Sequence, residues 1–276
     1  MIPLLQNIPQ DIISAMWQFL GSLVLLVMIV GISIWKGVGM ERNYLWSTLR
    51  GFAQILILAS VLSFIFTLHG LLPLFGILIV MIIFGAQTAA DRLEGIDKIF
   101  YVELVSLFVG VNAVMITMSL LHVLPTDRPE FWIPIGGMVT GNSMNISYLT
   151  LDRIKSDLKQ RSTEIEAALS LGATPDQIMQ RLHIIPGALK VGTTPNTNSL
   201  RTLGLVFIPG LMTGLLIGGT HPIAAALLQV MIFFLILGGG MLSALIGSYL
   251  VTNYIFDMKR MALPVKVESD RSSEDK

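Results

Sequence analysis

The chain has 276 residues, of which 53% are hydrophobic and only 13% charged, with a mean hydropathy of +0.74. That leaves too little polar surface to coat a water-soluble globule. Lysine and arginine together number 18 and so do aspartate and glutamate, so there is no net basic field for nucleic acid. With no cysteine, disulfide frameworks, thiolate metal sites and cysteine nucleophiles are excluded.

The apolar residues come in long blocks. A helix rises about 1.5 Å per residue, so crossing ~30 Å of hydrocarbon takes about 20 of them. Seven segments qualify or nearly qualify, at 12–35, 51–68, 72–90, 102–122, 131–151, 202–219 and 222–255. The expected fold is all-α, a polytopic integral membrane protein with about seven transmembrane helices. The first block is too long for a signal-peptide core and is expected to be retained. With the N-terminus outside and the C-terminus cytoplasmic, every basic residue except Arg128 falls in an inside segment, as the positive-inside rule requires. The expected location is a cell (inner or plasma) membrane. Residues 1–256 form the permease-like membrane domain, with a cytoplasmic segment at about 152–201.

Arg50 and Gln54 enter the second span. Glu103 lies at the inner end of the fourth, where it either marks the headgroup level or sits deeper. A carboxylate in hydrocarbon costs roughly 3 kcal/mol, so a deep Glu103 needs a partner or a cavity. Gln54 and Asn112 are uncharged and suit interhelical hydrogen bonds. The fifth span reads Ile133-Pro134-Ile135-Gly136-Gly137-Met138-Val139-Thr140-Gly141-Asn142-Ser143-Met144-Asn145. Its proline and glycines predict a break near the membrane middle, or alternatively close helix packing through small residues.

Residues 162–186 predict a short helix–turn–helix between spans five and six. Thr163 with Glu166, and Thr174 with Gln177, have capping-box spacing, and Pro175 suits a first helical position. Ile165, Ala168, Leu169 and Leu171 give the first helix an apolar side, and Ile178, Met179 and Leu182 the second. Gly172 suits the left-handed turn between them. The unit is a stiff projecting knob, or else an amphipathic hairpin on the membrane surface.

The sixth span repeats the texture of the fifth at Ile208-Pro209-Gly210-Leu211-Met212-Thr213-Gly214. Paired interruptions of this kind point to a transport site. The seventh is longer than a bilayer needs, so it tilts, breaks near Gly238–Gly240 or runs into water. The tail 257–276 is charged and is expected to be disordered.

The spacing of Glu166, Ala167, Ala168 and Gly172, closed by Pro186, resembles the coupling loop of ABC-transporter permeases, with the proline one residue late. The runs PIGGMVTGNSM, EAALSLGAT and NSLRTLGLVFIPGLMTGLLIGGTHPIAAALLQ extend the likeness over nearly all of the membrane region. Together they resemble the iron-export ABC permease family (the FetB-like permeases), which includes plant aluminium-tolerance permeases. The resemblance implies a permease, forming a homodimer, that moves iron or a related solute out of the cytoplasm. It implies a separate cytoplasmic ATP-binding subunit carrying ATP and Mg, since this chain has no Walker pattern and no ATPase motif of its own. Arg50, Gln54, Asn142 and Gln229 lie within the matching regions.

Candidate pathway residues are Arg50, Gln54, Glu103, Met138, Thr140, Asn142, Met144, Met212, Thr213 and Gln229. His69, His122 and His221 map to outer span ends and, with Asp127 and Glu130, could form a loose release site for a cation, or simply sit at a polar interface. An ion-coupled carrier with a midplane site is the rival reading. An intramembrane enzyme lacks paired carboxylates, a metal-ligating histidine motif or a serine triad.

Overall fold

The computed structural model describes residues 10–65, 71–93, 96, 98–123 and 129–256. Among them the regular structure is α-helical, apart from one isolated bridge between Leu203 and Phe207. Contacts divide the chain into two compact units, Met1–His69 and Gly70–Lys276. The expected disordered tail lies outside the described residues.

The first unit is a helical hairpin of α1 (Gln10–Lys36) and α2 (Glu41–Ile65). Gly37 and Gly39 take left-handed conformations in the turn, and Ser33 donates to Glu41 across it at 3.0 Å. Phe19 stacks on Phe52 with ring centroids 4.8 Å apart. The outer faces of both helices are apolar and exposed, as a lipid-facing surface requires.

In the second unit, α3 (Leu71–Ala90), α4 (Ile99–Leu120), α5 (Pro129–Gln160) and α10 (Pro222–Ile255) pack together. Small residues set how closely they approach. A Cβ on Gly110 would collide with Ser243 and lie 2.9 Å from the Gly239 carbonyl, so α4 and α10 touch almost backbone to backbone. Gly110 faces Gly239 and Ser243, and Gly247 faces Ser106, so α4 runs antiparallel to α10. Gly239 faces Val139 and Ser143 while Gly247 faces Ser147 and Leu151, so α5 runs parallel to α10. Leu78 and Met81 of α3 pack on Gly136 and Gly137 of α5, in parallel.

Among the described residues three helical segments are long and apolar enough to span a bilayer, Met16–Lys36, Ile99–Leu120 and Pro222–Ile255. At two places where a break was one alternative, the helix is continuous. The helix α5 continues through Pro134 and its glycines, and α10 through Gly238–Gly240. A proline five residues into α5 meets few helical carbonyls to lose, and the glycines serve close packing instead.

The predicted sixth span is also not one helix. Residues 202–209 are non-helical, and α9 (Gly210–Ile217) has only 8 residues. Beside α5 and α10 lies instead α8 (Ile184–Arg201), which the expected cytoplasmic segment included. Gly192 touches Ile146 and Thr150, and Asn196 reaches Asn142, so α8 runs antiparallel to α5. Its rich content of threonine and asparagine hid it from any hydropathy window.

Candidate functional site

At one end of the second unit the chain forms a small knob. It comprises α6 (Ser162–Ser170) and α7 (Pro175–Arg181), joined by a tight turn. Gly172 has φ +87°, its N–H donates to Leu169 O at 2.9 Å, and the Ala173 N–H donates to Ala168 O at 3.0 Å. This double closure is a Schellman turn, which the spacing predicted through its glycine. Thr174 and Gln177 form the expected capping box, with Pro175 opening α7. The other predicted box is absent. The first helix already starts at Ser162, which places Thr163 inside it, and Arg161 at the cap makes no side-chain capping bond.

Arg161 does other work. Its Nε bonds Glu164 at 2.7 Å and its Nη1 donates to Leu182 O at 2.6 Å, joining the start of α6 to the end of α7. The bond to Glu164 pushes the Arg161 guanidinium up from its usual value and holds the Glu164 carboxyl below its own. Gln180 donates to the Tyr249 hydroxyl at 2.9 Å, tying α7 to α10. Ile165, Leu169, Pro175, Ile178 and Met179 are buried beneath the knob. Glu166, Ala167 and Gly172 face outward, and Leu171, expected on the apolar side, is 89% exposed. A hollow of about 320 Å³ opens between the helices, lined by Ala168, Ala173, Gln177 and Arg181 among others. Pro186 is exposed near the start of α8.

Within the bundle a polar seam runs between α4, α5 and α10. Glu103 is fully buried within the bundle, and its Oε1 accepts from Ser147 at 3.1 Å. Among the described residues its Oε2 has no hydrogen-bond partner, nor have the buried hydroxyls of Thr140, Ser143 and Ser243 or Gln229 Oε1. Ser106, Ser143, Ser147 and Ser243 were not singled out from sequence. Their four-residue spacing with glycine on α10 (239, 243, 247) and serine on α5 (143, 147) is a signal that could have found them.

The remaining predicted residues are placed as follows. Asn142 donates to Met138 O at 2.8 Å and accepts from Asn196 at 3.1 Å. Met138 and Met144 are half-buried on α5, and Met212 is half-buried on α9. Thr213 is exposed and bonds the Pro209 carbonyl at 3.2 Å. Arg50 and Gln54 are exposed on α2, in the first unit. Asn112 bonds Phe108 O of its own helix, not a neighbouring one. His122 is exposed just beyond α4, and His221 caps α10 by accepting from the Ile223 N–H at 3.3 Å. His69 and Asp127 lie outside the described residues. Among the described residues no three His, Asp or Glu side chains gather as metal ligands would.

Residues 16–256 match the model of a family described as "Uncharacterised protein family (UPF0014)". The chain belongs to this family. Among UPF0014 relatives it is 34% identical over 239 residues to the UPF0014 membrane protein YjkA of Bacillus subtilis, covering 85% of this chain and 94% of that one. It is 31% identical over 229 residues to the protein ALUMINUM SENSITIVE 3 of Arabidopsis thaliana, covering 83% of each. To the probable iron export permease protein FetB of Escherichia coli it is 30% identical over 251 residues, covering 90% of this chain and 94% of that one. No solved structure matches the chain. The UPF0014 match and the apolar helices make this a multi-pass membrane protein, of the family that the sequence motifs resemble.

Proposed function

We propose that this chain is the membrane-spanning permease subunit of an ABC transporter, driven by ATP that a separate cytoplasmic subunit binds with Mg and hydrolyses. The observation that carries the reading is the knob. Its turn is locked at both ends by backbone and side-chain bonds, and it offers Glu166, Ala167, Leu171 and Gly172 to a neighbour. Leu171 stands 89% exposed on this rigid turn, a shape that suits burial in a partner's cleft. The ties from Arg161 to Leu182 and from Gln180 to Tyr249 give a push on the knob a route into α10.

The solute leaves the cytoplasm, by likeness to the iron export permease of E. coli, and is iron or a related metal or small molecule. The N-terminus is outside, the C-terminus cytoplasmic, and two copies form the working permease. The carrier reading rested on a pair of broken helices, and the continuity of α5 removes one of them. Co-expression with candidate ATP-binding subunits, followed by purification from membranes, tests the proposal. A soluble ATPase should co-purify and hydrolyse ATP faster in the complex. Transport by this chain alone in an ion gradient would overturn it.

A further inference from the structure

We propose that the face of α8 carrying Lys190, Thr194, Asn198 and Arg201 walls a water-filled passage through the membrane, shaped for an anionic, oxygen-rich solute. The proposal rests on the permease reading and adds where the solute passes and what charge it bears.

Depth is the first observation. Gly192 meets α5 at Ile146 and Thr150, and Asn196 meets it at Asn142, which is near the middle of the 131–151 span. Running antiparallel to α5, α8 therefore enters the bundle from the knob and passes the midpoint before it ends at Arg201. It supplies the inner part of the sixth crossing in place of residues 202–219, and it carries Arg201 away from the inside loops to which charge counting assigned it.

The two faces of α8 differ sharply. Ile184, Ile185, Ala188, Leu189 and Gly192 are buried against the bundle. Lys190, Thr194, Asn198 and Arg201, spaced to align along one side, are exposed. Hydrocarbon does not cover such a face, because guanidinium and carboxamide groups at that depth need water or polar partners, while Lys190 stands at the inner mouth, level with the end of the 131–151 span. Among the described residues neither cation has an ion-pair partner, and α8 contains no acidic residue. A passage walled this way repels a bare divalent cation at both of its charged levels and attracts carboxylate or phosphate oxygens. A metal would travel along it as an anionic chelate.

The absence of cysteine makes the test direct. Single cysteines replace Thr194 and Asn198 on the polar face and Ala188 on the packed face, in membranes holding the full chain. They are probed with small anionic and cationic methanethiosulfonates and with a maleimide bearing a bulky polyethylene glycol chain. The expected result is that T194C and N198C react with the small reagents, several-fold faster with the anionic one after correction for intrinsic reactivity. A188C stays silent, and the bulky maleimide is excluded. Adding K190Q and R201Q should abolish the anionic preference. Silence at both polar-face positions would mean that protein or lipid covers the face, and would overturn the proposal. So would full reaction with the bulky maleimide, which would put α8 in open water, or a preference for the cationic reagent. Labelling needs no ATPase, so a failure here is separate from a failure of the ABC reading.

Discussion

Ser147 holds the only hydrogen bond recorded for the buried Glu103 carboxyl among the described residues. Ser147→Ala strands that group, and a lost partner for a buried polar atom costs about 1–3 kcal/mol. The expected outcome is a lower thermal unfolding midpoint in detergent, and an unchanged midpoint would mean that the carboxyl finds another partner. Glycine substitutions give a second comparison. A methyl group at Gly192 would collide with Thr150 and lie 2.6 Å from the Ile146 carbonyl, whereas at Gly141 it would meet nothing within 4 Å. Gly192→Ala should therefore loosen α8 from α5 by about 1–3 kcal/mol, while Gly141→Ala should be near neutral or slightly stabilising. Proteolysis of α8 in the folded protein would report the difference. At this scale the sequence pointed to Glu103 through the scarcity of ionisable groups in the spans, and to Asn142 and Gln229 through the family resemblance. It did not point to the serines, whose small hydroxyls disappear in an average over hydropathy.

Helices were legible where one local rule dominated. The Thr174–Gln177 box and the Gly172 turn follow from bonds within a few residues, and both are present. Thr174→Ala should cost about 1 kcal/mol through loss of the cap. Gly172→Ala places a Cβ at φ +87° and should cost about 1–2 kcal/mol. Both are measurable as reduced knob protection in amide hydrogen exchange, with the transmembrane helices unchanged. Legibility failed where tertiary contacts decided. Nothing local tells Pro134 that α5 will absorb it, or Thr163 that Arg161 will set the start of α6 through its bonds to Glu164 and Leu182. A polar helix such as α8 reads as a loop until its partners are known, because its burial comes from α5 and α10 rather than from its own composition.

Across the whole molecule the membrane class and the family follow from composition and from long motifs, and both are upheld by the UPF0014 match. The route of the chain was less legible, since the apolar block at 202–219 is not one helix and the polar α8 packs beside α5 and α10. The central claim is mechanical: a partner grips the knob, and the grip moves the bundle. Ala167 is exposed and Gly172 forms the turn, so on this account Ala167→Trp should block docking without touching the core, while Gly172→Pro should destroy the turn. The direct measurement is ATP hydrolysis by the co-purified ATP-binding subunit, with the wild-type chain and with A167W in membranes. Stimulation by the wild type, lost at least tenfold in A167W while the chain still inserts and accumulates normally, is the predicted result. Equal stimulation by both would contradict the account.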